Sequence, residues 1–300
     1  MKKFILKVVQ FIFLVVFVQI TILISLISLS GLLNFYRPLQ LEKNNEIIKD
    51  HKVYIIGNSH LECGLNDSIL PNQFENIALS GESMFYSIVK MRAILSARNV
   101  DTIVFSFAPN SLYSIKNAIA DNRLVHNYHR NFSQLTLQEH LFLFQHNLIK
   151  STKAVLSLTP SIFFRYYSKL NGSFKPLDRE MKVSVTNNKS KKQFMIKTQS
   201  NHEMILKENG FNSLLEIVDS NPATFFLFLR APVHNTFEDD TYIFNEAVSE
   251  IKLRKNSLIL DFSNALYDYS FYADNQHLNR SGADSFTKLF LKRYRNIKKK

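Results

Sequence analysis

Five short stretches of this 300-residue chain carry the side chains that acyl-transfer chemistry needs. In chain order they are Gly57-Asn58-Ser59-His60, Ser80-Gly81-Glu82, Ala108-Pro109-Asn110-Ser111, Ala231-Pro232-Val233-His234 and Asp274-Asn275-Gln276-His277-Leu278-Asn279. A serine hydroxyl becomes a nucleophile when a histidine takes its proton, and a carboxylate orients that histidine and favours its charged form. Ser59, His277 and Asp274 are the candidates for those roles. Asp274 and His277 stand three apart, so one helical turn would put them on one side. The tetrahedral intermediate also needs donors for its oxyanion, each worth about 3 kcal/mol in the transition state. The backbone amides of Ser59 and Gly81 and the side-chain amide of Asn110 are candidates. His60 and His234 are the candidates for contact with substrate.

Each of these residues has a structural reading as well. A serine after a strand often caps a helix, and Asn58 could cap the same segment. Gly81 could serve only to permit a turn, and Asn110 could be a turn residue after Pro109. His60 could satisfy a local hydrogen bond, and His234 could sit in a surface loop. Cys63, just past the first strand, reads as buried and inert. Position argues for chemistry, because ligands of an open α/β sheet lie beyond the carboxyl ends of its strands.

The positioning elements are legible as alternating patterns. Lys52–Gly57, Asn76–Leu79, Thr102–Phe107, Ala223–Leu229 and Ser257–Asp261 are short apolar runs that read as strands. Residues 83–98, 240–254 and 280–297 read as helices. Alternation of this kind implies an α/β fold with a parallel, doubly wound sheet. Between Phe107 and Ala223 lie 115 residues, far more than one crossover needs. Residues 111–215 are therefore read as an insertion, largely helical, with 183–201 as a basic loop.

The ordered set of blocks resembles the SGNH (GDSL-type) hydrolase superfamily. The resemblance rests on strand-Gly-Asn-Ser-His, Ser-Gly-Glu, the post-strand Asn and Asp-x-x-His-Leu-Asn-x-x-Gly. It covers roughly residues 51–110 and 222–297 and leaves the insertion outside. It implies a three-layer, flavodoxin-like sheet of order 2-1-3-4-5 and a triad that works without metal or cofactor. Carried over by motif, the nucleophile is Ser59, the acid–base pair is Asp274 and His277, and the oxyanion donors are Ser59, Gly81 and Asn110. Two blocks depart from the pattern. Asn58 stands where the family has Asp, and Ala-Pro-Asn stands where it has Gly-x-Asn-Asp.

The N-terminus sets the compartment. Val8 to Tyr36 is a run of 29 residues without a charge, where a membrane-spanning helix needs about 20. Lys2, Lys3 and Lys7 precede it, while Arg37 and Lys43 are diluted by Glu42 and Glu46. The positive-inside bias puts the N-terminus in the cytoplasm and the body across the membrane. Ser28-Leu29-Ser30 before Gly31 would also suit a cleaved signal peptide, but the run exceeds the roughly 7–15 residues of a signal core. The expected organisation is a retained anchor over 1–36, a linker over 37–50 and an exported α/β domain over 51–300.

With such an anchor the chain further resembles envelope members of the superfamily, the DltD-like and AlgX/AlgJ-like acyl-transfer proteins. That implies an acylated envelope glycan or glycolipid as substrate and a membrane acyltransferase as a partner. A non-catalytic accessory subunit with the same fold is the rival reading, motivated by the two altered blocks.

The net charge of +12 would by itself suggest nucleic acid. Its distribution says otherwise. Residues 151–200 carry ten basic and two acidic groups, and 288–300 carry seven basic groups. The excess belongs to the insertion and to the end of the last helix, so no nucleic-acid partner is expected. A single cysteine excludes a disulfide framework within the chain and any multi-cysteine metal site.

Overall fold

Five parallel strands form one sheet in the order β2-β1-β3-β4-β5 in the computed structural model. The structure describes residues 52–112, 173–181, 210–235, 242–266 and 268–299, with scattered positions between 4 and 25 and between 127 and 153. The strands are β1 (Val53–Ile56), β2 (Phe74–Asn76), β3 (Thr102–Ser106), β4 (Phe225–Arg230) and β5 (Ser257–Asp261). Every residue of β1 and β3 is buried, as expected of central strands covered on both faces. β5 is at the edge, and Leu260 is its one buried residue.

Alternate side chains of the strands feed two apolar layers. Val53, Ile55, Val104, Leu227, Leu229 and Leu260 pack with Phe286, Phe290 and Tyr294 of the last helix, α5 (Arg280–Lys298). On the other face Phe228 meets Phe105 and Phe107 edge to face, at 5.9 and 5.4 Å between centroids. Phe107 also stacks on Phe211 of α3 (Phe211–Ser220) and meets Phe244 of α4 (Tyr242–Lys252). α3 packs in turn on α2 (Met84–Ala97). Phenylalanine thus supplies much of this layer in a chain that has 26 Phe and no Trp.

Two expected boundaries move. β2 is Phe74–Asn76 rather than 76–79, because the chain leaves the strand pattern at Asn76. Ile77 and Leu79 still donate to the β1 carbonyls of Ile55 and Gly57, but the Ile77 carbonyl is taken by the Lys90 ammonium at 2.8 Å. The expected insertion 111–215 also overlaps the sheet architecture. α3 begins at Phe211 and is the helix that leads into β4.

The chain divides into two compact units. One is Leu41–Ala118 with Asn171–Lys300, which holds the sheet, and the other is Met1–Gln40 with Ile119–Leu170. In the second unit the helix Leu137–His146 starts with a capping box. The Thr136 hydroxyl accepts from the Glu139 N–H, and the Glu139 carboxylate accepts from the Thr136 N–H at 2.7 Å. Residues 161–170 and the basic stretch 183–201, expected as helix and loop, lie outside the described residues. So does most of 8–36. Its described positions are helical, with exposed Phe and Leu side chains. Among the described residues no helix is long and apolar enough to cross a membrane.

Candidate active site

The position of Ser59 is set by a glycine. β1 ends at Ile56, and Gly57 has φ +142°. A Cβ there would lie 2.1 Å from the Ser106 Cβ at the end of β3. Only glycine lets the chain pass this close and turn. Asn58 then caps the short helix α1 (Ser59–Glu62). Its Oδ1 accepts from the His60 N–H at 3.1 Å and from the Ser106 hydroxyl at 3.0 Å. The cap needs an acceptor oxygen, which the neutral Asn side chain supplies. Ser59 is therefore not the cap but the first helical residue. Its own N–H is one of the donors a helix start leaves over, and no described group accepts from it.

His277 comes from the far end of the chain, on a loop closed by the antiparallel bridge between Tyr272 and Leu278. The expected helical turn between Asp274 and His277 is instead a bend. Asp274 Oδ1 accepts from the N–H groups of Gln276 and His277, both at 3.0 Å, which folds the loop around the carboxylate. Asn279 locks the base of this loop. It caps α5 by accepting from the Gly282 N–H, and its amide donates to the Ser270 carbonyl at 2.6 Å. Gly282 is required there, since a Cβ would lie 2.0 Å from the Phe271 carbonyl oxygen.

The side chains meet as a relay. Ser59 Oγ is 2.8 Å from His277 Nε2, and His277 Nδ1 is 2.9 Å from Asp274 Oδ1. Burial alone would raise the Asp274 pKa. The His277 ring's hydrogen bond and charge, with the two backbone donors, outweigh that and hold the carboxyl well below its ordinary range. Asp274 is thus a carboxylate at neutral pH. It sets the imidazole with Nδ1 protonated and Nε2 facing the serine. Its second oxygen, Oδ2, accepts from the Arg179 guanidinium at 2.7 Å.

His60, His234, Gly81 and Asn110 are the remaining candidates. His60 is 5% exposed and its ring centroid is 5.4 Å from that of His277. Burial first, then the positive charges of His277 and Arg230, push its pKa down to about 4, with Asp274 opposing. His60 is a neutral ring beside that of His277. His234 is buried rather than on a surface loop: its ring meets Tyr272 edge-on at 5.3 Å and its N–H donates to the Asn275 carbonyl. It braces the loop that carries Asp274. Gly81 turns with φ +75°. Asn110 lies in the 3-10 turn Pro109–Leu112, with its side chain outside the described structure. Cys63 is buried, and burial followed by the nearby Glu62 charge pushes its thiol up to about 12.

Two carboxylates, Glu62 outside the motifs and Glu82 within one, hold the Ser80–Glu82 loop. Glu62 is buried at the end of α1, and its Oε2 accepts from both the N–H and the hydroxyl of Ser80. Glu82 is buried against Lys90, 2.5 Å from its ammonium, and also accepts from the Ser87 hydroxyl. The available signal was that α2 carries one lysine, Lys90, among Ile88, Val89 and Met91. A charge inside an apolar run asks for a buried partner. Among the described residues no group of His, Cys, Asp and Glu side chains is arranged to hold a metal ion.

No family model and no curated protein matches this chain. Among solved structures it is similar to a chain from Streptococcus pneumonia described as a candidate platelet activating factor. The identity is 12%, 92% of each chain is covered, and the TM-score is 0.42.

Proposed function

We propose that this chain is an SGNH-type serine esterase or O-acyltransferase that works through an acyl-Ser59 intermediate. The observation that carries the reading is the unbroken relay Ser59 Oγ–His277 Nε2, His277 Nδ1–Asp274 Oδ1, at 2.8 and 2.9 Å. It stands beyond the carboxyl ends of a parallel sheet, where that chemistry is expected.

His277 takes the Ser59 proton as Oγ attacks the ester carbonyl. The resulting imidazolium then protonates the leaving alkoxide, and the acyl group stays on Oγ. The Ser59 N–H, with Gly81 and Asn110 in the family's roles, would stabilise the oxyanion. Water as acceptor makes the enzyme an esterase, and a sugar hydroxyl makes it a transferase. The acyl group is proposed to be acetyl, on an envelope polysaccharide or glycoconjugate. The charge-free N-terminal run motivates anchoring by a single helix with the N-terminus in the cytoplasm and the main domain exported. A membrane acyltransferase is the proposed partner.

The test is labelling of the full chain with a fluorophosphonate probe and turnover of a chromogenic acetyl ester. Both are expected in the wild type and absent in Ser59→Ala, and turnover is expected to be lost in His277→Ala. An unlabelled but folded wild type would instead favour the accessory-subunit reading, which the altered Asn58 and Ala-Pro-Asn blocks motivate.

A further inference from the structure

The segment 173–181 is part of the sequence-expected insertion, yet it lies against both halves of the relay. The Phe174 N–H donates to Asp67 at 2.7 Å, and the Lys175 N–H donates to the carbonyl of Glu62, the last residue of the nucleophile helix. Further along, the Leu177 carbonyl accepts from the Arg280 N–H at the start of α5, and Asp178 pairs with the Arg280 guanidinium at 2.8 Å. The Met181 N–H donates to the Tyr272 carbonyl at 2.8 Å, and the Met181 side chain is buried in the core. Nine residues thus strap the Ser59 helix to the Asp274–His277 loop. They place Arg179 against the one Asp274 oxygen that His277 and the loop amides leave open.

We infer that Arg179 is a positioning residue of the relay, supplied by the insertion, and that its charge weakens the pull of the shared Asp274 carboxylate on the His277 ring. This rests on the triad reading above. A carboxylate shared with a guanidinium attracts the imidazolium less than a carboxylate facing it alone, and the guanidinium itself repels that imidazolium. Arg179 also fixes the Asp274 carboxylate in its plane by holding Oδ2 while His277 holds Oδ1.

The other charged and titratable groups around the loop do not take this role. His60, from the nucleophile helix, is a neutral ring at neutral pH. His234, from the segment after β4, meets Tyr272. Arg280, from α5, is engaged by Asp178, and Arg230, from the end of β4, by Asp261. Arg179 is 66% exposed, so its field is screened and the effect is modest.

The experiment follows the pH dependence of His277 acylation by diethylpyrocarbonate in the full chain, residue by residue by mass spectrometry. Only the neutral imidazole reacts, so the midpoint reports its protonation without requiring enzymatic activity. In Arg179→Gln the midpoint is expected to rise by about half a pH unit, the effect of a screened charge a few ångströms away. In Arg179→Lys it should stay near the wild-type value. The acid limb of fluorophosphonate labelling at Ser59 should move in the same direction. An unchanged midpoint in Arg179→Gln overturns the inference. An equal rise in Arg179→Lys also overturns it, because that variant keeps the charge. Absence of Ser59 labelling in the wild type would count against the triad reading alone, since the His277 midpoint is read independently.

Discussion

Two carboxylate–cation pairs flank the candidate site, and they are built for different ends. Glu82 and Lys90 are both nearly sealed, with side chains 0% and 7% exposed. Asp274 and Arg179 are 34% and 66% exposed. The first pair sits under the Ser80–Glu82 loop and also ties down the Ile77 carbonyl. The second sits on the relay itself. A buried charge that loses its partner has nowhere to turn, while an exposed one turns to water. Removing a cation should therefore cost stability at the first pair and change only chemistry at the second.

The largest expected effect is on turnover. Asp274→Asn keeps the size of the side chain but removes the acceptor charge that selects the imidazole tautomer. Acetyl-ester turnover should fall about 10⁴-fold, with the stability that the depressed carboxylate contributes at neutral pH lost as well. Next comes Lys90→Met, which leaves Glu82 buried and unpaired and should cost about 3–5 kcal/mol in chemical denaturation. The double variant Glu82→Leu with Lys90→Met should recover most of that loss, because the penalty belongs to the uncompensated charge. A double variant no better than the single one would show that the pair specifies the loop rather than merely neutralising itself.

A third prediction separates the site's acid sensitivity into two windows. His60 has an unfolded pKa near 6.5 and a folded one near 4. The unfolded chain binds its proton first, so stability falls as pH drops from 6.5 towards 4, by about 3 kcal/mol in total. Asp274 works lower down. Its folded pKa is depressed, so its contribution is present above the ordinary carboxylate range and is lost only as pH falls below it. His60→Gln should flatten the upper window in a urea titration series and leave the lower one. A slope between pH 6.5 and 4 that survives the substitution would assign it to another group.

What the sequence made legible follows from how local each signal is. β5 lies at Ser257–Asp261 as expected, because a polar turn and Phe262-Ser263 bracket an apolar run. The last helix was legible for the same reason, whereas the sheet order came only from the family resemblance, and the Asp-x-x-His-Leu-Asn-x-x-Gly block places its own cap, Asn279, within three residues of the glycine it holds. β2 was misplaced because Ile77 and Leu79 pair with β1 through their N–H groups, while a lysine thirteen residues along takes the Ile77 carbonyl. The strap 173–181 was not legible at all. Its partners are Asp67, Glu62, Tyr272, Asp274 and Arg280, all about 90 or more residues away, and no periodicity within nine residues records them.

The smallest effect is the one that tests the comparison from its exposed side. Arg179→Gln should change the denaturation midpoint by less than about 1 kcal/mol, the range of exposed ion pairs. Asp274 keeps His277 and two backbone donors in that variant, so it is not stranded as Glu82 is without Lys90. Raising salt should shrink even this small difference, because the pair lies within reach of screening ions. The cost of Lys90→Met should be nearly independent of salt, because that pair is sealed from solvent. If both variants responded to salt alike, the two pairs would share one electrostatic environment. The division of labour would then lie in the loops that carry them rather than in burial.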